Sequence, residues 1–258
     1  MSASSGVIRW SGYTADTRLQ AAVKGLTGHR SSSIFAETYS RLVESSLNTS
    51  ETLGGVLAAV TLDTPFVKKV VAGAGGSDRL TDQFKQAAKV IKSRTVLGKV
   101  ERDVFYVSMG GFDTHTDALN KVDELFQYTD HALSEFEKEM RLQGLWENVA
   151  VLQASEFGRT LRANGAGTDH AWGGHSFIVG GKLKGAQILG RYPDRIDNES
   201  PLNVRTGGRF IPTTSWEAVW HGLAEWFGVE SGKMEDVLPQ LSNFPSSALF
   251  KKEAMFDA

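Results

Sequence analysis

The apolar positions of the first hundred residues fall three and four apart. In "TRLQAAVKGL" (17–26), "SIFAETYSRLVESSL" (33–47) and "LTDQFKQAAKVIKSRTVLG" (80–98) this spacing gathers them on one helical face, which predicts a mostly helical region over residues 1–100. "AGAGGSD" (72–78) is too glycine-rich to continue such a face and marks a break before the third helix. The pattern changes at 104. "VFYVSM" (104–109) is a short β-branched and aromatic run that ends in Gly110-Gly111, and it predicts a buried strand. Leu119, Val122, Phe126, Leu133, Phe136 and Met140 then form one stripe of a helix over 117–143, with Thr116 or Asp117 as its N-cap and Gly144 as its stop. "VAVLQA" (149–154) is a second run of strand length. Strand, helix, strand predicts a βαβ unit, with parallel strands and a right-handed crossover.

"FIVGG" (177–181) reads as a third strand. "IPTTSWEAVWHGLAEWFGV" (211–229) reads as a helix with a Thr214–Glu217 capping box and Gly228 at its end. Its face of Trp216, Val219, Trp220, Leu223 and Phe227, together with Trp226, supplies apolar anchors for the core. These patterns predict a single α/β domain over 1–258. It comprises a helical region (1–100), an α/β core carrying the chemistry (101–230) and a weakly patterned C-terminal tail (231–258).

The totals narrow the field. A chain of 258 residues with 41% hydrophobic and 22% charged residues, and a net charge of −2, can bury one sizeable core. The charge balance lacks the basic excess of a nucleic-acid binder, so no nucleic-acid partner is expected. The absence of cysteine excludes disulfides, thiolate metal sites and cysteine catalysis. The first twenty residues carry no apolar run like a signal peptide's core, and no stretch approaches a membrane span.

Half of the six histidines lie in two short glycine-rich stretches, "VSMGGFDTHTD" (107–117) and "GTDHAWGGH" (167–175). Parallel strands would end on one sheet edge, where ligands of open α/β sheets bind. The first strand would deliver Asp113 and His115 there, and the second would deliver Glu156 and Arg159 through "SEFGRT". "GTDHAWGGH" would fold back with Asp169, His170 and His175. Carboxylate oxygen with imidazole nitrogen suits zinc, manganese or iron. Arg159, with Arg162 beside it, is suited to hold an anionic substrate through charge-assisted hydrogen bonds. Each element also has a plainer reading: a helix cap for Asp113, an Asx turn for Asp169-His170, a structural ion pair for Glu156 and Arg159. His131 is expected to be solvated and His221 to pack. The chain has no Walker phosphate loop, no GxGxxG after a strand, no GxSxG and no HExxH.

"VFYVSMGGFDTH", "SEFGRT", "GTDHAWGGHSFIVGGKLKG" and "GRFIPTTS", in this order over roughly 80–228, closely resemble the bacterial domain-of-unknown-function 1501 family. That family is grouped with the alkaline phosphatase and sulfatase superfamily. The resemblance implies a three-layer α/β/α sandwich with a mainly parallel sheet, and metal ligands on loops at the C-terminal strand edge. It also implies a hydrolase of phosphate or sulfate esters that uses one or two divalent ions, zinc or manganese. Asp113 and His115 look like one ligand pair and Asp169 and His170 like another, with His175 added. An alternative register uses Glu156 and leaves His170 as the isolated histidine. The family's usual "RGG-x-DGL"-like segment and the superfamily's nucleophile do not appear, so the chain is expected to lack the N-terminal half. Such a chain would keep a metal site as a binding or assembly domain, would expose a sheet edge, and would call for an oligomer or a partner chain. Full-length relatives often carry export signals.

Overall fold

The computed structural model describes residue 13 and residues 16–29, 31–72, 77–98, 101–204 and 207–257. The helices are α1 (Thr17–Thr27), α2 (Ile34–Ala59), α3 (Leu80–Lys92), α4 (Arg94–Leu97), α5 (Ala118–Leu142), α6 (Trp216–Phe227), α7 (Met234–Val237) and α8 (Lys252–Met255). Among the described residues, four short strands accompany them: β1 (Ala150–Leu152), β2 (Gly158–Ala163), β3 (Thr168–Ala171) and β4 (Ile178–Gly180). The chain divides into two compact units interleaved in sequence. The first comprises Met1–Met109 and Gln127–Glu139, the second Gly110–Phe126 and Met140–Ala258.

The first unit is helical, as the periodicity of residues 1–100 predicts. Asp16 caps α1 by accepting the Arg18 and Leu19 amides, and Ser33 caps α2 by accepting that of Ala36. At α3 the nearly buried Asp78 accepts the amides of Thr81 (3.0 Å) and Lys69 (2.8 Å). Phe84 of α3 meets Phe136 of α5 with ring centroids 4.9 Å apart, and Tyr128 and Ala132 are also buried. One turn beyond Phe136 lies the fully buried Glu139. Its Oε2 accepts the Thr64 amide at 2.7 Å, and its Oε1 lies 3.8 Å from Lys92 Nζ. Lys92 also donates to Asp63 at 2.6 Å, and this hydrogen bond raises its pKa. His131, expected in solvent, sets its Nε2 2.6 Å from the Val67 carbonyl.

The second unit holds both sheets. β1 pairs antiparallel with β4 through Ala150↔Gly180, Val151↔Val179 and Leu152↔Ile178. β2 and β3 form an antiparallel hairpin with Gly158 opposite Ala171 and Arg159 opposite His170. Leu223 of α6 and Met255 and Phe256 of the C-terminal segment make a core against which Ala150, Leu152, Ile178, Val219 and Trp226 pack. Trp226 stacks on Phe256 at 4.9 Å. His221 packs, with Nδ1 2.9 Å from the Phe250 carbonyl.

The expected three-layer sandwich with a mainly parallel sheet is therefore overturned. Helices dominate, and both sheets are two-stranded and antiparallel. The predicted strands 149–154 and 177–181 exist in shortened form but pair with each other, so the loop between them only has to bring the chain back. Among the described residues, the predicted strand 104–109 joins no ladder, and without it there is no βαβ unit. Of the apolar stripe predicted for α5, Phe136 and Met140 are buried and Val122 and Leu133 half-buried, while Leu119 and Phe126 are exposed. Trp216 and Trp220, expected as core anchors, are partly exposed. Among the described residues, no helix is long and apolar enough to cross a membrane.

The helix stops match the sequence closely. At the end of α5, Gly144 has φ 69°. Its amide donates to the Arg141 carbonyl and the Leu145 amide to that of Met140, the paired bonds of a Schellman cap. Gly228, with φ 93°, closes α6 in the same way through the Ala224 and Glu225 carbonyls. The N-cap of α6 lies one residue later than the predicted capping box: Ser215 Oγ accepts the Ala218 amide at 3.1 Å. Ser215→Ala should therefore cost about 1 kcal/mol, read as a lower urea midpoint at unchanged slope. Thr214→Ala should not remove the cap.

Candidate metal centre

The β2–β3 hairpin turns at "NGAG" (164–167). Gly165 takes φ 121°, and the Asn164 amide donates to the Gly167 carbonyl at 3.0 Å. The "FDTH" segment lies along this turn. The Thr168 amide donates to the Thr114 carbonyl (3.3 Å) and the Ala118 amide to that of Ala166 (3.0 Å). Gly167 makes the approach possible, because a Cβ there would run into the carbonyl groups of His115 and Thr114. Arg159 makes a second attachment. From β2 it donates to the Thr168 carbonyl (2.8 Å), the Phe112 carbonyl (2.7 Å) and Asp113 Oδ1 (2.9 Å), with its guanidinium over the Phe157 ring. Phe157 also stacks on the His170 ring at 4.3 Å and 7°, which fixes the plane of that imidazole.

These attachments converge on one oxygen. Asp113 Oδ1 lies 2.6 Å from His170 Nε2, 3.0 Å from His115 Nε2 and 2.9 Å from the Arg159 guanidinium. The hydrogen bond from His170, followed by the charges of both histidines and the Arg159 bond, holds the Asp113 pKa below its ordinary value and keeps the carboxylate anionic. Asp113, His115 and His170 each offer a ligand atom within 4.8 Å of the others, and all three are exposed. Two imidazole nitrogens and a carboxylate oxygen are a fitting donor set for zinc or manganese. Bonds of about 2.0–2.1 Å in a tetrahedral centre separate the ligand atoms by roughly 3.3 Å. The 2.6 and 3.0 Å contacts would open by less than an ångström to admit an ion. Such movement is small for exposed side chains.

The remaining predicted residues stand apart to different degrees. Asp169 Oδ1 lies 3.9 Å from His115 Nδ1, on the side of the ring away from the nitrogen that faces Asp113. The same carboxylate accepts from Asn164 Nδ2 at 2.6 Å and lies 3.5 Å from the Arg209 guanidinium. His175 stacks on Tyr192 at 5.3 Å, and neither it nor the exposed Glu156 belongs to the cluster. Arg159, expected to hold substrate, binds the protein's own carbonyls and Asp113. Arg162 is exposed. Phe157, Asn164, Gly167 and Arg209 have roles at the site that the sequence reading did not assign. The Asn-Gly pair in "RANGAG" is the signal that marks a hairpin there.

The chain matches a protein-family model described as "Protein of unknown function (DUF1501)" over residues 67–206. This span contains all the clustered residues. No curated protein and no solved structure matches the chain.

Proposed function

The chain belongs to that family, residues 67–206 being 140 of its 258, and we propose that Asp113, His115 and His170 bind a divalent ion, zinc or manganese, in the service of hydrolysing phosphate or sulfate esters. The observation that carries this reading is the convergence of the three ligand atoms within 4.8 Å on an exposed surface. Three protein ligands with an open side are the pattern of catalytic rather than structural zinc. An ion there would polarise an ester oxygen and ease deprotonation of a water. Asp113 brings the negative charge. Asp169, behind His115, is a positioning residue for that imidazole. Arg159 holds Asp113 and the Phe112 carbonyl in place.

A second reading, a metal-binding domain without turnover, is favoured by the hydroxyls nearby. Thr114 is 3% exposed, and Ser155 Oγ donates to the Phe157 carbonyl rather than to a general base, so neither hydroxyl is set up as an activated nucleophile. Elemental analysis of the purified protein, paired with aryl phosphate and aryl sulfate assays in zinc and in manganese, separates the two. Close to one ion per chain with turnover is expected, and both should vanish in the His115→Ala/His170→Ala double variant. Bound metal without turnover selects the second reading. Equal, negligible metal in wild type and double variant removes both.

A further inference from the structure

Residues 104–109 have the composition of a strand but no partner. Their exposure alternates with a period of two: Val104 (82% exposed), Tyr106 (85%) and Ser108 face solvent, while Phe105, Val107 and Met109 are half-buried. Among the described residues, no backbone group from 101 to 111 bonds to another backbone group. One interaction shows how the segment is presented. The Gln83 carboxamide accepts the Ser108 amide at 2.8 Å and donates to the Ser108 carbonyl at 2.7 Å, which are the two bonds a neighbouring strand would make. In an extended segment, alternate residues aim their amide and carbonyl at opposite edges. Gln83 therefore occupies the Ser108 position of one edge, and the edge of Phe105 and Val107 is left open.

We propose that this open edge pairs with the same edge of a second copy of the chain, antiparallel and centred on Tyr106. The twofold register sets Phe105 opposite Val107, Val104 opposite Ser108 and Tyr106 opposite itself. Aromatic faces β-branched, a favourable cross-strand pair. Asp103 falls opposite Met109 and Arg102 opposite Gly110, so no like charges meet. A six-residue apolar run without charge, proline or glycine on an open edge has the character of a self-pairing segment. The twofold closes the pair, since each copy presents the same edge to the other. The Phe105 and Val107 groups would exchange the hydrogen bonds, and Tyr106 would form the close non-hydrogen-bonded pair. In such a pair the Cα atoms stand about 4.5 Å apart, within the range a disulfide spans.

The cysteine-free chain makes this register testable. Sedimentation of the full chain across a range of concentrations should give a monomer–dimer equilibrium. Mild oxidation of Tyr106→Cys should give a disulfide-linked dimer at least tenfold faster than oxidation of Val70→Cys, a residue just as exposed in the same unit. Val107→Pro removes an amide that has no partner among the described residues and should weaken the dimer about tenfold or more without unfolding the chain. The proposal is overturned by a monomer at every concentration, by a series of larger species, by equal cross-linking at positions 70 and 106, or by a dimer that Val107→Pro leaves unchanged. None of these readouts depends on metal, so they stand apart from the tests of the metal centre.

Discussion

Gly167→Ala is expected to lower affinity for zinc by about ten- to a hundredfold while leaving the helical first unit folded. The cause is steric. Gly167 has no Cβ to hold it off the backbone of His115 and Thr114, and an alanine methyl would overlap the carbonyl groups of both. Neither is the end of a flexible side chain, so the hairpin turn itself must retreat. Its retreat strains the Thr168–Thr114 and Ala118–Ala166 hydrogen bonds, which hold the "FDTH" segment against the hairpin. His115 and Asp113 stand on that segment and His170 on the hairpin, so the three candidate ligands separate even though none of them has changed. Gly185→Ala is the control, because a Cβ there meets nothing within 4 Å. Competition with a chelating dye measures the affinity, and far-ultraviolet circular dichroism follows the helices. If Gly167→Ala binds zinc as the wild type does, the hairpin turn does not hold the site together.

Glu139→Ala should have the largest effect on stability, a loss of about 3 kcal/mol. The Glu139 carboxylate is wholly buried and accepts the Thr64 amide at 2.7 Å. Removing it leaves that buried amide without an acceptor and takes an anion from beside Lys92, whose Nζ is 3.8 Å away. For a chain of this size the midpoint of thermal unfolding should fall by about 6–12 °C. Glu139→Gln keeps a carbonyl oxygen for the Thr64 amide and should recover most of the loss. If alanine and glutamine cost the same, the charge beside Lys92, rather than the hydrogen bond, stabilises this corner.

The helices were legible because their signals are local. The three-and-four spacing, and the glycines that end α5 and α6, act within a few residues of chain. Gly144 and Gly228 take the left-handed conformations that a helix stop requires. The sheets were not legible, because a strand is completed by a partner whose place in the sequence its own residues do not reveal. "VFYVSM" carries the composition of a strand and lacks the ladder. "VAVLQA" found its partner in "FIVGG" rather than across the α5 crossover. The hairpin over 158–171 is mostly polar and glycine-rich, so its apolar pattern is faint and only Asn164-Gly165 announces it. The meeting of "GGFDTH" and "DHAWGGH" was thus foreseen from a parallel sheet edge that the structure lacks. An antiparallel hairpin and the Arg159 side chain bring them together instead. Glu139, with Glu135 four positions back and Glu137 and Lys138 just before it, reads in sequence as an ordinary helix-surface acid. Its burial depends on the distant Thr64.

The division of α5 between the two compact units bears on how the chain is made. Residues 127–139 complete the first unit and residues 110–126 belong to the second, so the order along the chain is first, second, first, second. No single backbone cut can release the two units whole, since any cut from 109 to 140 divides at least one of them. During synthesis, which proceeds from the N-terminus, α1 to α4 emerge well before the stretch that bears Phe136 and Glu139. The first unit must wait for residue 139 before its core can close, and in that interval its apolar helical faces depend on whatever else in the cell can cover them.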